Sequence, residues 1–599
     1  MKKYILLLLF AFCMQPLYAD SVTYSLSFTE PQTHYANVDI LLENSKGGDL
    51  EVSMPVWAPG SYLVREFSRM VESVSAEDVK TKRSLIVEKI NKNTWSVKSG
   101  KTSGNIRISY KVYAFELTVR TSFIDQEHAY LNGTSVFMRV IGYENMEHQV
   151  HVTPWSEWKT ISVALDPLTE KDPWKRKADN YDELVDAPFE IGNHLVFSFV
   201  AAGVPHEVAM VGEGNYDVER LKKDMAKVVE ECTSIFGEHP CKQYLFIVHN
   251  LTSGGGGLEH LNSTTLQTNR WSYSSETAYA GFMSLVAHEY FHLWNVKRLR
   301  PQPLGPFNYD EENYTTLLWI AEGFTAYYDD LIAKRCGFYS EKEYLKTLAG
   351  NFSYVANIKG GPFQSLSESS FDAWIKFYRS HENSNNSTVS YYTKGGVMGA
   401  VLDLMIRNAT GGKKSLDDVF REMYLLYYKK LNRGYSEQEF IQMVNKVSGR
   451  DFTAFFKEYV NGVKAYPMSD LMKETGLLLT DLNAKQVIPY LGINTNTSGG
   501  KLVASSVDRG SPAWKAGVNV NDELLAVDHY RLSDDLSKVI STKKPGDKIN
   551  LLVSRAGFIK TISLYVEASP FVKYSLEWET QLSDQQKKNV SGWLSAAAD

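Results

Sequence analysis

The residues that could do chemistry cluster in the middle of the chain. The run Ala287-His288-Glu289-Tyr290-Phe291-His292-Leu293-Trp294 sets two histidines four positions apart, and residues so spaced share one face of a helix. His288 and His292 can therefore turn two imidazole nitrogens towards one metal ion, while Glu289, about 100° further round the helix, reaches the metal's water rather than the metal. Such a set is suited to hydrolysis, with an activated water as nucleophile and a carboxylate as its general base. With 13 histidines in 599 residues the motif could also arise by chance on a polar helix face, so the reading needs a third ligand. Glu322 in Trp319-Ile320-Ala321-Glu322-Gly323-Phe324 supplies one, because an unpaired carboxylate in an apolar, aromatic helix is costly and wants a cation. A buried salt bridge to Lys297, Arg298 or Arg300 is the alternative. Asp329 and Asp330, further along, read as a solvated face. Imidazole and carboxylate donors around an open position make one Zn2+ per chain the expected cofactor, with cobalt or manganese as substitutes in vitro.

Two further segments could hold a substrate. Ser253-Gly254-Gly255-Gly256-Gly257-Leu258-Glu259-His260 follows a predicted strand, and glycine lets a backbone approach a ligand closely, so this segment could pair in β fashion with an extended peptide. A flexible linker is the alternative; a phosphate loop lacks its Gly-Lys-Ser/Thr ending. Ser390-Tyr391-Tyr392-Thr393-Lys394-Gly395-Gly396 opens a helix and offers phenols that could donate to an oxyanion, against plain packing as the other reading.

These residues need a scaffold, and the chain is long enough for roughly three or four domains. Its 43% hydrophobic, 13% aromatic and 22% charged content is that of a globular protein with large cores. A net charge of -6 gives no reason to expect nucleic acid. Lys2 and Lys3 before the apolar run Ile5 to Met14, then Leu17-Tyr18-Ala19, read as a secretory signal peptide over residues 1–19 and point to the periplasm. No later segment is long enough to span a membrane. From Ser21 to Asp166, short alternating runs such as Val22 to Phe28 and Ile106 to Tyr113 predict an all-β sandwich, within a domain bounded at residues 20–200. Helical periodicity takes over beyond residue 215, over Val218–Phe236, Glu276–Leu299, Tyr314–Lys334, Lys342–Ile358, Val397–Asn408, Leu416–Leu431 and Glu437–Val447, with one strand at Gln243–Val248. That predicts a mixed α+β catalytic domain over 201–480. A compact β module follows over 481–570, then a polar tail over 571–599 with isolated Trp578 and Trp593. Cys232 and Cys241 could bridge a short loop or remain two thiols.

The HExxH run with its downstream Glu resembles the gluzincin metallopeptidases. The resemblance implies a thermolysin-like domain with zinc on His288, His292 and Glu322 and water activated by Glu289. The glycine segment is similar to the Gly-x-Met-Glu-Asn stretch of aminopeptidase-N-like enzymes, which implies that Glu259 receives the substrate's free α-amine and that Gly256, Gly257 and His260 border the substrate. Leu258 and His260 depart from that pattern. The Tyr-Glu-Lys-Gly stretch of the same enzymes implies Tyr392 as oxyanion donor, with Thr393 in place of Glu and Tyr391 as competitor.

Over almost the whole chain, Pro55 to Glu66, Gly255 to His260, His288 to Pro301 and Ser370 to Trp374 look like the glycyl aminopeptidase family. That implies a multidomain α+β protein with an N-terminal β domain, a gluzincin catalytic domain and a C-terminal PDZ domain. Trp57 to Arg65 reads as a packed strand and turn rather than a catalytic element, one that could make a structural contact to the cleft. Tyr490-Leu491-Gly492-Ile493 opens a strand in the manner of a carboxylate-binding loop, so Leu491, Gly492 and Ile493 could receive peptide C-termini, or the module could only pack. The expected activity is removal of small N-terminal residues, glycine or alanine, from peptide substrates. A zinc endopeptidase with the same site and a PDZ-based peptide-binding scaffold are the rivals.

Overall fold

The computed structural model describes residues 21–596 except 44, 46, 47 and 534; the signal segment read over residues 1–19 lies outside the described residues. Among the described residues no helix is long and apolar enough to cross a membrane.

The alternating runs form the expected β domain. Val22–Ser27 buries every other residue and pairs antiparallel with Tyr35–Leu42 and parallel with His148–Thr153, within an 11-stranded sheet. A four-stranded sheet carrying His128–Leu131 and Phe189–Gly192 shares its core, which joins Tyr24, Val38 and Ile108 to Phe137, Phe189 and Ile191.

The catalytic sheet begins at Leu195, inside the stretch assigned to the β domain. Ala202 and Gly203 adopt φ of 49° and 73°, so Leu195–Ala201 turns straight back onto Val204–Val211. Tyr244–Leu251, Ser263–Asn269 and, at the edge, Gly256–Glu259 complete five strands. The middle strand is buried on both faces, which is why it opens with the apolar run Tyr244 to Val248 before the buried polar pair His249 and Asn250.

The histidine-bearing helix spans Glu276–Phe291, capped by Ser275, whose side chain accepts from Ala278 N, and stops well before the predicted Leu299. Val296 takes φ 104°, and the Asn295 amide donates to the carbonyls of Ile320 (2.9 Å) and Ala321 (3.1 Å), tying the end of this helix to the start of the next. That next element starts later than the predicted Tyr314, as a π-helical turn at Trp319–Gly323 leading into Phe324–Arg335. π-Turns are frequent at functional sites.

The PDZ module is an insertion. Leu477–Asp481 pairs antiparallel with Tyr574–Trp578, so the chain leaves the catalytic domain and returns to it. The module docks through Asn386, which donates to the Val507 carbonyl (2.8 Å) and accepts from Arg509 N (2.8 Å). The stretch expected to be a polar tail therefore belongs to the catalytic core. Trp593 is fully buried, its indole donates to the Tyr327 hydroxyl (2.9 Å), and Arg335 donates to its carbonyl (3.1 Å). Cys232 and Cys241 are unpaired thiols; Cys241 Sγ lies 3.0 Å from Asn262 Oδ1.

The two large domains are pinned by a buried carboxylate. Glu190 of the β domain accepts from His128 in its own sheet (2.7 Å) and from His249 of the catalytic sheet (2.9 Å). Burial raises the Glu190 carboxyl and would lower His128, but their mutual attraction outweighs both, leaving Glu190 at about 2 and His128 above the ordinary histidine value. The contribution of His128 is complete below the unfolded histidine pKa and fades as pH rises through its elevated folded value. That of Glu190 is lost only as pH falls towards its own depressed value. Glu190→Gln should therefore destabilise by about 3 kcal/mol near pH 5.5 and by less near pH 9. Thermal denaturation at the two pH values tests this, and equal losses would contradict it.

Candidate active site

Three donors converge from two elements. His288 Nε2 and His292 Nε2 are 3.2 Å apart, and they lie 3.8 Å and 3.3 Å from Glu322 Oε2. The orientation of each ring is set from behind. His288 Nδ1 donates to Asp329 Oδ2 (2.9 Å) and His292 Nδ1 to the Asn295 carbonyl (2.9 Å). A carboxylate and a carbonyl can only accept, so both rings carry a proton on Nδ1 and turn Nε2 to the same gap. Glu322 Oε1 is buried without a hydrogen-bond partner. Two imidazole nitrogens and a buried carboxylate facing one gap, with one carboxylate oxygen left without a partner, are the donor set of a zinc site. The salt-bridge alternative fails for two of its candidates: Lys297 pairs with Asp186, while Arg298 donates to Leu261, Leu293 and Asn262.

Asp329 and Asp330 are not on a solvated face. Both are half-buried, and Asp329 backs His288. The signal was present in the sequence, since seven residues make about two helical turns and return to the face of Glu322.

Glu289 is 4% exposed, and its Oε2 has no partner. Burial lifts its carboxyl to about 7 against the pull of His288 and His292, a value suited to a base working near neutrality. Beside it runs the edge strand Gly256–Glu259, paired only with Ser263–Asn269. Gly257 lies so close to Glu289 that any Cβ there would overlap its carboxylate. Glu259 has a carboxylate oxygen within 4.8 Å of donor atoms of Glu289 and His292, and its Oε1 is unpartnered.

A cavity of about 570 Å³ contains these groups. His260 does not line it. One residue past Glu259, its side chain leaves on the other face and meets Asp186 (Nδ1 to Oδ1, 3.1 Å). Tyr392 does line it, with its ring stacked 6.4 Å from that of His288, whereas Tyr391 is fully buried against Phe377.

The contact to the cleft allowed for the Trp57–Arg65 stretch is present through Gly60 and Arg65, whereas Tyr378 and Arg120 were missed. Tyr378 joins Tyr392 on the cavity wall, and the β domain supplies Gly60, Arg65 and Arg120. Trp57 and Tyr62 are packed as expected, edge-on to Trp374 at 5.1 and 5.7 Å, and this anchors the turn between them. Gly60, at its tip with φ 84°, sits where a Cβ would be 2.6 Å from Glu259 Oε1.

Comparison with known proteins fits this geometry. A model of the peptidase M61 N-terminal domain matches residues 23–193, the M61 glycyl aminopeptidase model matches 281–398, and a PDZ model matches 489–566. A crystal structure of an aminopeptidase N family protein from Idiomarina loihiensis is 31% identical, with a TM-score of 0.89 over 96% of this chain and 100% of that one. The chain belongs to the M61 glycyl aminopeptidase family. It is thus a metallopeptidase. More distantly, an M1 zinc metallopeptidase from Deinococcus radiodurans aligns at 14% identity and a TM-score of 0.48, over 75% of this chain and 95% of that one. A search of curated proteins gave no match.

In this M61 chain the segment read as the PDZ carboxylate loop leads into an edge strand. Leu491 is buried in the module's core, and Gly492 (φ 75°) leaves no room for a Cβ against Ser511. Ile493 begins Ile493–Ser498, a strand paired on one side only among the described residues. For the metal centre, removing the carboxylate behind a ligating histidine should weaken the site. Asp329→Ala is expected to lower zinc affinity about 10- to 100-fold in a chelator competition; unchanged affinity would contradict the role given to Asp329.

Proposed function

We propose that this chain is a secreted, periplasmic zinc aminopeptidase that removes small N-terminal residues, glycine or alanine, from peptides. The observation that carries the reading is the unpartnered Glu259 carboxylate, held beside Glu289 and His292 at the end of an open edge strand. His288, His292 and Glu322 would hold one zinc ion. When bound, zinc supplies Lewis-acid polarisation of a carbonyl and makes a water acidic enough to be deprotonated near neutral pH.

The chain's own residues do the rest. Main-chain groups of Gly256–Glu259 align an extended peptide by strand addition. Glu259 accepts hydrogen bonds from the α-ammonium and so sets the first peptide bond beside Glu289. Glu289 takes the proton of the attacking water and returns it to the leaving amine. Tyr392 donates its phenolic hydrogen to the developing oxyanion. The match to the M61 glycyl aminopeptidase model supports glycine or alanine as the first residue. The basic and apolar residues 2–19 support secretion. The loop Leu491–Ile493 and its half-paired strand support capture of peptide C-termini.

Two comparisons test this. Chromogenic glycine and alanine substrates with a free amine should be hydrolysed at least about 100-fold faster than their N-acetyl forms, because Glu259 would lose its charged partner. Equal turnover would favour an endopeptidase. Glu289→Gln should retain zinc while kcat falls by about 10²- to 10⁴-fold; unchanged kcat would refute the general-base role.

A further inference from the structure

We infer that Arg65 and Arg120 form a carboxylate-binding subsite in the catalytic cleft, making short peptides with a negative charge just beyond the scissile bond the preferred substrates. This rests on the aminopeptidase reading above and names the part of the substrate it leaves open.

Both side chains line the same 570 Å³ cavity as His288, Glu289 and Glu322. They come from separate segments of the β domain, Arg65 after the Trp57–Tyr62 turn and Arg120 from the loop before Phe123–Ile124. The Nε atom of each is shut off from water and has no hydrogen-bond partner. Arg65 Nη2 donates to Ser61 Oγ (3.0 Å), a neutral acceptor. Burial and then repulsion from Arg120 lower the Arg65 pKa; Glu116 is near enough to be felt, but forms no ion pair with it.

Elsewhere two buried guanidinium groups are neutralised by carboxylates, and a third, Arg298, is satisfied by carbonyls and Asn262. Arg335 bridges Glu231 (3.2 Å) and Asp417 (3.2 Å), and Arg407 pairs with Asp403 (3.0 Å). The cleft pair has no such carboxylate among the described residues. Two neighbouring cations with no carboxylate in ion-pair contact are costly where water is partly excluded, and a planar carboxylate taking two parallel hydrogen bonds is their natural complement.

The cleft also carries charges of both signs. Glu259 and Glu289 lie along the edge strand, where the free amine would sit. Arg120 acts on the phenol wall, opposing the rise that burial imposes on Tyr378 and Tyr392. A cleft lined by both carboxylates and guanidinium groups matches a short zwitterion. The carboxylate could be the C-terminus of a dipeptide or tripeptide, or an acidic side chain following the scissile bond. Both present the same group to the arginines.

The test compares kcat/KM for Gly-Ala with that for Gly-Ala amide, and for Gly-Asp amide with that for Gly-Asn amide. The zinc-loaded full chain is used, alongside Arg65→Ala, Arg120→Ala and Arg65→Lys. The charged member should be favoured about 10- to 100-fold in at least one pair, and the pair showing it identifies the source of the carboxylate. The preference should collapse towards unity in both alanine variants and be partly kept by Arg65→Lys. A merely structural role would slow both members of a pair equally and leave the ratio intact, which would overturn the inference. So would the absence of any preference in the wild-type chain, a result that stands even if a variant fails to fold. If the neutral amides are cleaved, the aminopeptidase reading survives either outcome; if no free-amine substrate is cleaved, both fall.

Discussion

Three carboxylates, Glu259, Glu289 and Glu322, are each at least nine-tenths buried in one cleft whose only nearby imidazoles are His288 and His292. Such an excess of negative charge away from water is unstable without a cation, and much of the surrounding structure serves to hold it. The histidine helix aims two nitrogens inward, the π-turn brings Glu322 to meet them, and Asp329 and the Asn295 carbonyl fix the rings. The edge strand adds Glu259 where a bound peptide would begin. A divalent ion and a substrate ammonium are together the counter-charges this arrangement calls for.

The β domain takes part in the site as well as supporting it. Its aromatic turn, held by Trp57 and Tyr62 against Trp374, places Gly60 on Glu259 and leads to Arg65. Glu190, bridging His128 and His249, ties the same domain to the middle strand of the catalytic sheet. The PDZ module reaches the catalytic domain at Asn386, in the segment between Tyr378 and Tyr392. The last strand and Trp593 then close the core behind the glutamate-bearing helix. Each outlying part of the chain thus touches an element that carries a residue of the cleft.

What could be read from the sequence was local. The spacing of His288 and His292 and the misfit of Glu322 among apolar neighbours need only helical geometry and the cost of a buried charge. The glycine run was read as a close approach to a ligand; the contact of Gly257 with Glu289 is a different one, which the sequence did not specify. Residues that reach the site through tertiary folding gave no such sign. Arg65 and Arg120 lie far from the metal motif in sequence, and an arginine in a β-rich stretch ordinarily reads as surface. Asp329 was within reach of helical periodicity, but beside Asp330 it looked like a solvated pair. The histidine helix was read too long because Leu293, Trp294 and Leu299 continue its apolar pattern; the break comes from Val296 and from Asn295 bonding across to Ile320 and Ala321. Trp578 and Trp593, isolated in a polar stretch, were anchors whose partners lie more than 200 residues earlier.

The central claim is that the buried donor set holds a single catalytic zinc ion. Its most direct test is to strip the purified chain with a chelator and titrate zinc back, following hydrolysis of a free-amine alanine substrate and bound metal together. The account predicts negligible activity in the stripped chain, then a linear rise that breaks sharply at one zinc per chain. Full activity without metal, or a rise with no break at that ratio, would contradict it.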